Sequence, residues 1–244
     1  MRTDDSTRLS YWFPLVQAAG LPVPRTRIVS LSDEEFRDFS AVFDGKTPEC
    51  WERLMRDIRA AAEGPDGVGV PFFLRTDFTS NKHNWEKSCH VSDLERIGHY
   101  VYDLAEFSEM ADMFGGMPPD TFVVRELLPT NAVFTAFWGK MPIAREFRFF
   151  VRDGYVEHWQ PYWPPESIEG HDPSVAGWRD VLDEMSQLSN DAFQRLVEMT
   201  LRVSAAVPGF WSVDWLQTTD RGWVLTDMAE GEKSYRWVPT WGAR

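Results

Sequence analysis

The sequence predicts an α+β fold, and two features of the chain lead to this prediction. Helical and extended segments alternate over the first half, whereas the second half contains two pairs of extended segments joined by tight turns. Strands joined by tight turns are antiparallel. A doubly wound α/β fold would instead show a regular alternation of strands and helices along the whole chain. The 244 residues are 43% apolar and 14% aromatic, enough to build a buried core in one large domain or two lobes.

The first half contains most of the predicted helices. Ser32 and Glu35 have the spacing of a capping box, which predicts a helix that begins at Asp33. Apolar residues at helical spacing predict a second helix after Pro48. In chain order, the predicted segments are a helix at 9–19, an extended segment at 21–29, helices at 33–42 and 48–62, a strand at 71–75 and a helix at 105–114.

The second half is predicted to contain most of the strands. Pro129 ends an apolar strand, and an Asp-Gly turn joins two later strands into a hairpin. The predicted segments are a strand at 121–128, a hairpin of 146–151 with 155–159, helices at 175–188 and 191–207, and a final strand pair at 211–217 and 222–230.

Charge and cysteine content restrict the classes of function. The formal net charge of −13 argues against a broad basic face, so we expect no nucleic acid partner. Two cysteines in so long a chain indicate a reducing compartment without a disulfide framework. The polar N-terminus has no secretory pattern, and no apolar stretch is long enough to span a membrane. These features predict a soluble cytoplasmic protein.

Two aspartates lie in the final strand pair. Asp214 falls in 211–217 and Asp227 in 222–230, so the two are able to face one another on antiparallel strands. Period-two alternation places Leu225 on the same face as Asp227. A carboxylate in so apolar a run is either a ligand of a hard cation such as Mg²⁺ or a neutral, hydrogen-bonded core group. We favour the metal.

A polar loop follows the predicted strand at 71–75. Arg75 ends the strand, Thr76, Thr79 and Ser80 supply hydroxyl groups, and Lys82 lies near the far end of the loop. Arginine binds phosphate through a planar fork and lysine acts as a point charge, so the pair suits a polyphosphate. The alternative, a solvated loop with surface ion pairs, is equally compatible with the sequence. A Walker-type glycine loop is absent.

Two further strands carry candidate site residues. The strand that ends at Leu128 could offer its main chain to an adenine edge, with Glu126 or Asn131 near a ribose, or it could be an ordinary core strand. In the next hairpin, alternation places Glu146, Arg148 and Phe150 on one face. An arginine among aromatic residues is costly to bury unless an anion satisfies it, which favours a functional cation over a structural ion pair.

These segments, in this order, resemble the ATP-grasp superfamily. The resemblance extends from about residue 19 to 230 and is closest to a compact phage and bacterial branch similar to the eukaryotic initiation-factor-two assembly (cell-division-cycle) proteins. Five motifs in register carry the resemblance. The motifs are Gly20-Leu-Pro-Val-Pro-Arg-Thr26, Phe73-Leu-Arg75 with Lys82, Val124-Arg-Glu-Leu-Leu128, Glu146-Phe-Arg148-Phe-Phe-Val151, and the Asp214 and Asp227 strands.

The resemblance implies a site and a set of roles. The implied fold has two α+β lobes with mixed or antiparallel sheets on either side of a nucleotide cleft. The implied roles are ATP binding by Arg75, Ser80, Lys82, Glu126, Leu127, Leu128 and Arg148, catalysis by Lys82 and Arg148, and Mg²⁺ binding by Asp214, Asp227 and Glu230. Two departures stand out: Arg75 replaces the usual lysine, and Ala229 replaces the usual asparagine after the second metal carboxylate, where Glu230 is a candidate substitute.

Family resemblance also implies an activity. The expected reaction joins a carboxylate to an amine or thiol through an acyl phosphate, with a small molecule or peptide as the carboxylate substrate. The alternative is an ATP-binding assembly factor or inhibitor that clamps a protein partner with little turnover, and Ala229 favours it slightly. The expected organisation is a stub helix at 1–18, an N-terminal lobe at 19–120 and a C-terminal lobe at 121–244.

Overall fold

A computed structural model describes residues 6–113, 119–138 and 140–237. The predicted end of the helix at 105–114 therefore lies outside the described residues. The helices are α1 (Leu9–Ala18), α2 (Asp33–Phe39), α3 (Trp51–Glu63), α4 (Trp85–Ser88), α5 (Ile97–Met113), α6 (Pro165–Ile168), α7 (Trp178–Met185) and α8 (Asn190–Ala206). The strands are β1 (Thr26–Ser30), β2 (Phe72–Thr76), β3 (His90–Val91), β4 (Thr121–Glu126), β5 (Phe134–Ala136), β6 (Met141–Ile143), β7 (Glu146–Arg152), β8 (Tyr155–Pro161), β9 (Phe210–Thr218) and β10 (Gly222–Glu230).

The chain divides into two compact units. Of the described residues, the first unit contains 24–113, 119–127, 138 and 140–141, and the second contains 6–23, 128–137 and 142–237. This division differs from the boundaries expected from the sequence at three places, one of which is the short segment at residues 138 and 140–141, expected in the C-terminal lobe. Strand β4 belongs to the first unit because it pairs with β1 and β2, and helix α1 belongs to the second, where it packs against α8.

The first unit is built on a four-stranded sheet in the order β1-β4-β2-β3. Its three resolved pairings are antiparallel. Alternate residues of β2 and β4 point into a core formed with α2, α3 and α5. Core residues from these elements include Phe39, Leu54, Ile58, Phe72, Leu74, Val101, Leu104, Phe122 and Val124. The intervening residues of β2 and β4, among them Arg75 and Arg125, lie on the opposite face.

The predicted capping box begins helix α2. Ser32 Oγ accepts a hydrogen bond from Glu35 N at 3.2 Å, and the Glu35 carboxylate accepts one from Ser32 N at 2.8 Å. These bonds lower the pKa of Glu35, the main-chain bond from Ser32 most strongly. The helix ends three residues earlier than predicted, because a 3₁₀ turn over Ser40–Asp44 follows and Gly45 closes it in the left-handed region (φ 72°).

The second unit contains an antiparallel sheet in the order β10-β9-β7-β8. Helix α8 packs on one face of this sheet through aromatic contacts. Phe193 stacks on Phe149 at a centroid distance of 6.2 Å, and the buried Trp215 indole donates a hydrogen bond to Thr200 at 2.9 Å. The other face carries the polar side chains of β7 and β9. The α+β class predicted from the sequence is confirmed.

None of the described helices is both apolar enough and long enough to cross a membrane.

Candidate functional site

A row of polar side chains crosses the sheet of the second unit, away from α8. The strand register places Gln160 opposite Arg148, Arg148 opposite Asp214, and Asp214 opposite Asp227. Residues opposite each other on adjacent strands point to the same face, so the four side chains form one line over β8, β7, β9 and β10. Strand spacing of about 4.8 Å gives this charged row a span of about 14 Å. The structure thus brings together Arg148 and the two predicted aspartates.

Arg148 and Asp214 form a bidentate ion pair. Arg148 Nε donates to Asp214 Oδ1 at 2.8 Å, and Nη2 donates to Oδ2 at 2.9 Å. The two side chains are only 17% and 5% exposed. Burial alone would lower the pKa of Arg148, but the charge and hydrogen bonds of Asp214 outweigh this and raise it. The Tyr162 ring lies 4.8 Å from the guanidinium and covers it. Arg148 is therefore a fixed cation in a defined orientation.

A β-bulge brings Asp227 to this face. Leu225 pairs with Trp215, but Asp227 pairs with Asp214, so Thr226 is an extra residue in β10. Leu225 and Asp227 consequently lie on opposite faces, and the expectation that they share one is wrong. Thr226 Oγ1 bonds to the main-chain oxygen of Asp214 at 3.2 Å and to the Glu146 carboxylate at 3.4 Å. The bulge therefore ties the two metal-candidate strands to β7.

Glu230, the third predicted metal ligand, is not brought to the charged row. It lies three residues after Asp227, beyond the bulge, and an odd separation within a strand places side chains on opposite faces. Its carboxylate instead forms an ion pair with Lys233. The part of the chain that the structure describes contains no group of three or more His, Cys, Asp or Glu side chains placed to hold a metal ion. Metal binding by the aspartate pair remains a prediction.

In the first unit, Arg75 lies at the end of β2, where the polar loop begins. Its side chain is buried, and its Nε donates to the Thr76 carbonyl at 3.1 Å. The Thr76 hydroxyl then organises the turn, because it accepts hydrogen bonds from Phe78 N and Thr79 N at 3.4 and 3.1 Å. Such hydroxyl-to-main-chain bonds are typical of local turns. Arg75 is thus held at a structured loop entrance.

Lys82 begins a short 3₁₀ turn that leads into α4. The preceding Asn81 is in the left-handed region (φ 46°), and Ser88 Oγ donates to the carbonyls of Asn81 and Asn84 at 2.8 and 3.0 Å. Ser80 and Lys82 are both half-buried. Burial raises the pKa of the nearby Cys89 thiol to about 12, although Lys82 lowers it. Cys89 therefore remains a protonated core thiol.

Glu126 ends β4, and its carboxylate forms an ion pair with Arg25. Oε1 accepts from Arg25 N at 2.7 Å, and Oε2 accepts from Arg25 Nε at 3.0 Å. Leu127 and Leu128 continue the chain beyond the strand and are half-buried. The expected contacts of these three residues with adenine and ribose remain predictions. In the structure, Glu126 fastens the start of β1 to the end of β4.

Three residues that the sequence does not single out contribute to these polar faces. Arg125 shares the face of β4 with Arg75 of β2, is buried, and donates through Nε to Thr26 Oγ1 at 3.3 Å. Gln160 lies just beyond the predicted end of β8, and Thr226 forms the bulge. Alternation along 121–126 would have found Arg125, whereas no sequence signal marks Gln160 or Thr226.

Comparison with known proteins identifies the fold. A family model described as "ATP-grasp domain, R2K clade family 3" matches residues 64–238. VanG D-Ala:D-Ser ligase from Enterococcus faecalis is 13% identical with a TM-score of 0.52, and the match covers 92% of this chain and 52% of that one. D-alanine–D-alanine ligase from Bacillus anthracis, complexed with ATP, is 9% identical with a TM-score of 0.48 and coverages of 93% and 54%. No curated protein matches the sequence.

The chain spans about half the length of these two solved structures. At such low identity, the likeness to the VanG ligase shows a shared fold alone. The expectation of an ATP-grasp fold is confirmed by the family match. The narrower likeness to phage proteins and initiation-factor assembly proteins stays a prediction.

Proposed function

The chain belongs to family 3 of the R2K clade of ATP-grasp domains, and on this premise we propose that it is an ATP-dependent ligase that joins a carboxylate to an amine. The observation that carries the proposal is the charged row of Gln160, Arg148, Asp214 and Asp227, which lies within the matched residues. Asp214 holds the buried guanidinium of Arg148 in one orientation. A cation fixed in this way suits a reaction that develops negative charge on phosphate and carboxylate oxygens.

The chemistry assigns a role to each cation. A carboxylate oxygen attacks the γ-phosphorus of ATP and ADP leaves, which gives an acyl phosphate. The amine then attacks the acyl carbon, phosphate leaves, and the nitrogen loses a proton. Arg148 is a permanent cation that Asp214 and Tyr162 hold in place, so it is suited to stabilise charge on the phosphoryl oxygens without reorganising. In the first unit, Arg75, Ser80 and Lys82 are candidates to bind nucleotide phosphates.

The donors that a magnesium ion would need are present only in part. The carboxylates of Asp214 and Asp227 are the right chemical class, since Mg²⁺ prefers oxygen ligands. However, both oxygens of Asp214 already accept hydrogen bonds from Arg148, and Asp227 Oδ1 accepts one from Met228 N at 3.0 Å. These residues do not form a metal site as they stand.

The hydrogen bonds that Arg148 donates to both oxygens of Asp214 also favour a second function. An ATP-binding assembly factor or inhibitor needs to hold nucleotide but has less need of a complete metal site. Ala229 supplies no ligand oxygen from its side chain, and Trp138 is 75% exposed, which would suit contact with a protein partner. Under this alternative, nucleotide binds and changes the affinity for the partner, but little phosphate is released.

Thermal unfolding with nucleotide tests both functions. ATP at about 100 times its Kd should raise the melting temperature by about 5–10 °C, because it binds only the folded chain. Asp227→Ala should abolish the shift if Asp227 contributes to the site, and a series with and without Mg²⁺ reports the metal dependence. Asp220→Ala is the matched control, since Asp220 is half-exposed in the β9–β10 turn. It should retain the full shift.

Phosphate release then separates the ligase from the binding factor. A ligase should release phosphate from ATP only when a carboxylate and an amine are both present, which a panel of paired substrates can reveal. Nucleotide binding without release over the whole panel would favour the binding factor. If no nucleotide shifted the melting temperature, both functions would be lost together.

A further inference from the structure

The segment that follows β10 crosses the polar face of the second sheet. We call Glu232–Trp237 the belt. Ser234 Oγ lies 2.6 Å from Ser212 Oγ on β9, and the Arg236 guanidinium lies 4.6 Å from the Phe150 ring on β7. The main chain of Trp237 bonds to side chains of β8. The belt therefore starts beside β10 and passes over β9 and β7 to the edge strand.

The path of the belt follows a second row of the sheet. Ala229, Ser212, Phe150 and His158 are opposite one another in the strand register. Each of these residues is two positions from its neighbour in the charged row. A separation of two residues along a strand is about 7 Å, roughly the width of one extended chain. The belt consequently lies directly beside the charged row.

Gln160 joins the charged row to the belt. Its Oε1 accepts from Trp237 N at 2.9 Å, and its Nε2 donates to the Tyr235 carbonyl at 3.2 Å. One side-chain amide thus holds the main chain on both sides of Arg236, as a neighbouring strand would. Gln160 is 1% exposed and lies opposite Arg148. A buried amide with both groups satisfied has one rotamer, which fixes the belt relative to Arg148.

Other contacts of the belt come from the β7–β8 hairpin. Arg152 donates to Glu232 at 3.3 Å, and Arg236 pairs with Glu157 at 3.5 Å. The Trp237 indole donates to the Pro161 carbonyl at 3.1 Å. These contacts are at the sheet margin, and the ion pairs are partly exposed, so each holds the belt weakly. The two hydrogen bonds from the buried Gln160 side chain are the ones that fix the register of the belt.

From this arrangement we infer that the belt is a wall of the reaction site and that Gln160 is its positioning residue. The inference rests on the proposed ligase function. Gln160 touches neither nucleotide nor reacting atoms in this role. It acts through the belt, which confines a substrate placed beside Arg148 and excludes water from that side. A loosened belt should leave nucleotide binding intact but slow the productive reaction.

Trypsin reports the position of the belt without any need for activity. Arg236 is a trypsin site whose following main-chain N–H is bound by Gln160, so cleavage there should be slow in the wild-type chain. Gln160→Leu removes both hydrogen bonds, and Gln160→Glu retains the acceptor for Trp237 N but cannot donate to Tyr235. Cleavage after Arg236, followed by mass spectrometry, should accelerate at least tenfold in Gln160→Leu and less in Gln160→Glu. Gln187→Leu, an exposed glutamine bonded locally to Asp183, is the control.

Kinetics distinguish positioning from a purely structural role. In Gln160→Leu, we expect kcat for phosphate release to fall at least tenfold, with the KM for ATP within twofold of wild type and the ATP-induced melting shift retained. Gln160→Glu should recover part of kcat.

Unchanged cleavage after Arg236 would overturn the role of Gln160 in positioning the belt. Rapid cleavage with unchanged kcat and KM would overturn the role of the belt as a wall of the reaction site. If Gln160→Leu does not fold, Gln160→Glu provides both measurements. A wild-type chain that shows no nucleotide shift would instead refute the proposed function, while the cleavage result would stand.

Discussion

The polar loop of the first unit and the belt of the second are held by hydrogen bonds that differ in the sequence separation of their partners. In the loop, Thr76 and Ser88 bond to main-chain groups two to seven residues away in sequence. In the belt, the partners on β7 and β8 are 75 to 80 residues away. Both segments lie beside candidate site residues: the loop contains Lys82, and the belt borders Arg148.

The two segments depend on the rest of their units to different extents. Local bonds close small loops at low entropic cost, so the polar loop can order as soon as β2 is in place. The belt needs the complete sheet, since its partners occupy all four strands, β7 to β10. A change to a single loop residue should therefore act locally. A change to the polar face beneath the belt should act on the whole unit.

Removal of Arg148 is the harshest test of this comparison. Arg148→Met leaves the carboxylate of Asp214 buried without its cation, which should destabilise the second unit by about 3–5 kcal/mol. Urea unfolding, followed by tryptophan fluorescence, measures the loss. The belt should also be released, because its sheet is disturbed. The polar loop of the first unit should keep its amide protection in hydrogen exchange.

Two further variants check the cause of this loss. Arg152→Met, on the same strand but 44% exposed, should cost no more than about 1 kcal/mol. Adding Asp214→Asn to Arg148→Met removes the stranded charge and should restore part of the stability. A double variant as unstable as the sum of the single changes would show that the buried charge is not the cause.

Thr76 tests the local side of the comparison. Thr76→Val keeps the shape of this buried side chain but removes the acceptor for Phe78 N and Thr79 N. Unsatisfied buried groups should cost about 1–2 kcal/mol. Hydrogen exchange should show lost protection at these two amides, with the belt unchanged. Thr76→Ser, which retains the hydroxyl, should behave like the wild type, and a loosened belt in Thr76→Val would contradict the local nature of the loop.

The same contrast explains what the sequence could predict of the fold. The capping box at Ser32 and Glu35 was readable because both residues are in one turn of the chain. The hairpin of β7 and β8 was readable from its alternation and turn. The placement of β4 in the first unit was not, because its partners β1 and β2 are distant in sequence. Pairing between distant strands depends on the assembled core rather than on local pattern.

In the candidate site as well, local sequence patterns could be read, whereas contacts between distant strands could not. Arg148 and Asp214 could be named because a charge in an apolar strand is costly and therefore stands out. Their mutual pairing could not, since the two residues are 66 positions apart in the chain and lie on strands that only the folded sheet brings together. The bulge at Thr226 was also hidden, although it decides which face Asp227 occupies. Gln160 looks unremarkable as a residue, and only the belt that it binds gives it a role.

Acidification gives the smallest expected effect and probes the end of the polar loop. His90 on β3 stacks on Trp85, which begins α4, at a centroid distance of 5.4 Å and an angle of 9°. Burial lowers the pKa of His90, although Glu86 opposes the shift. The unfolded chain therefore takes up a proton near the ordinary pKa of about 6.5, whereas the folded chain does not. The contribution of His90 to stability is present above this pH and is lost as the pH falls below it.

The free energy of unfolding, measured by urea titration between about pH 7.5 and 5.5, should fall more in the wild type than in His90→Gln. Parallel pH profiles for the two proteins would show that His90 is charged to the same extent in the folded and unfolded chains, and that the stacked ring does not anchor the loop in its neutral form.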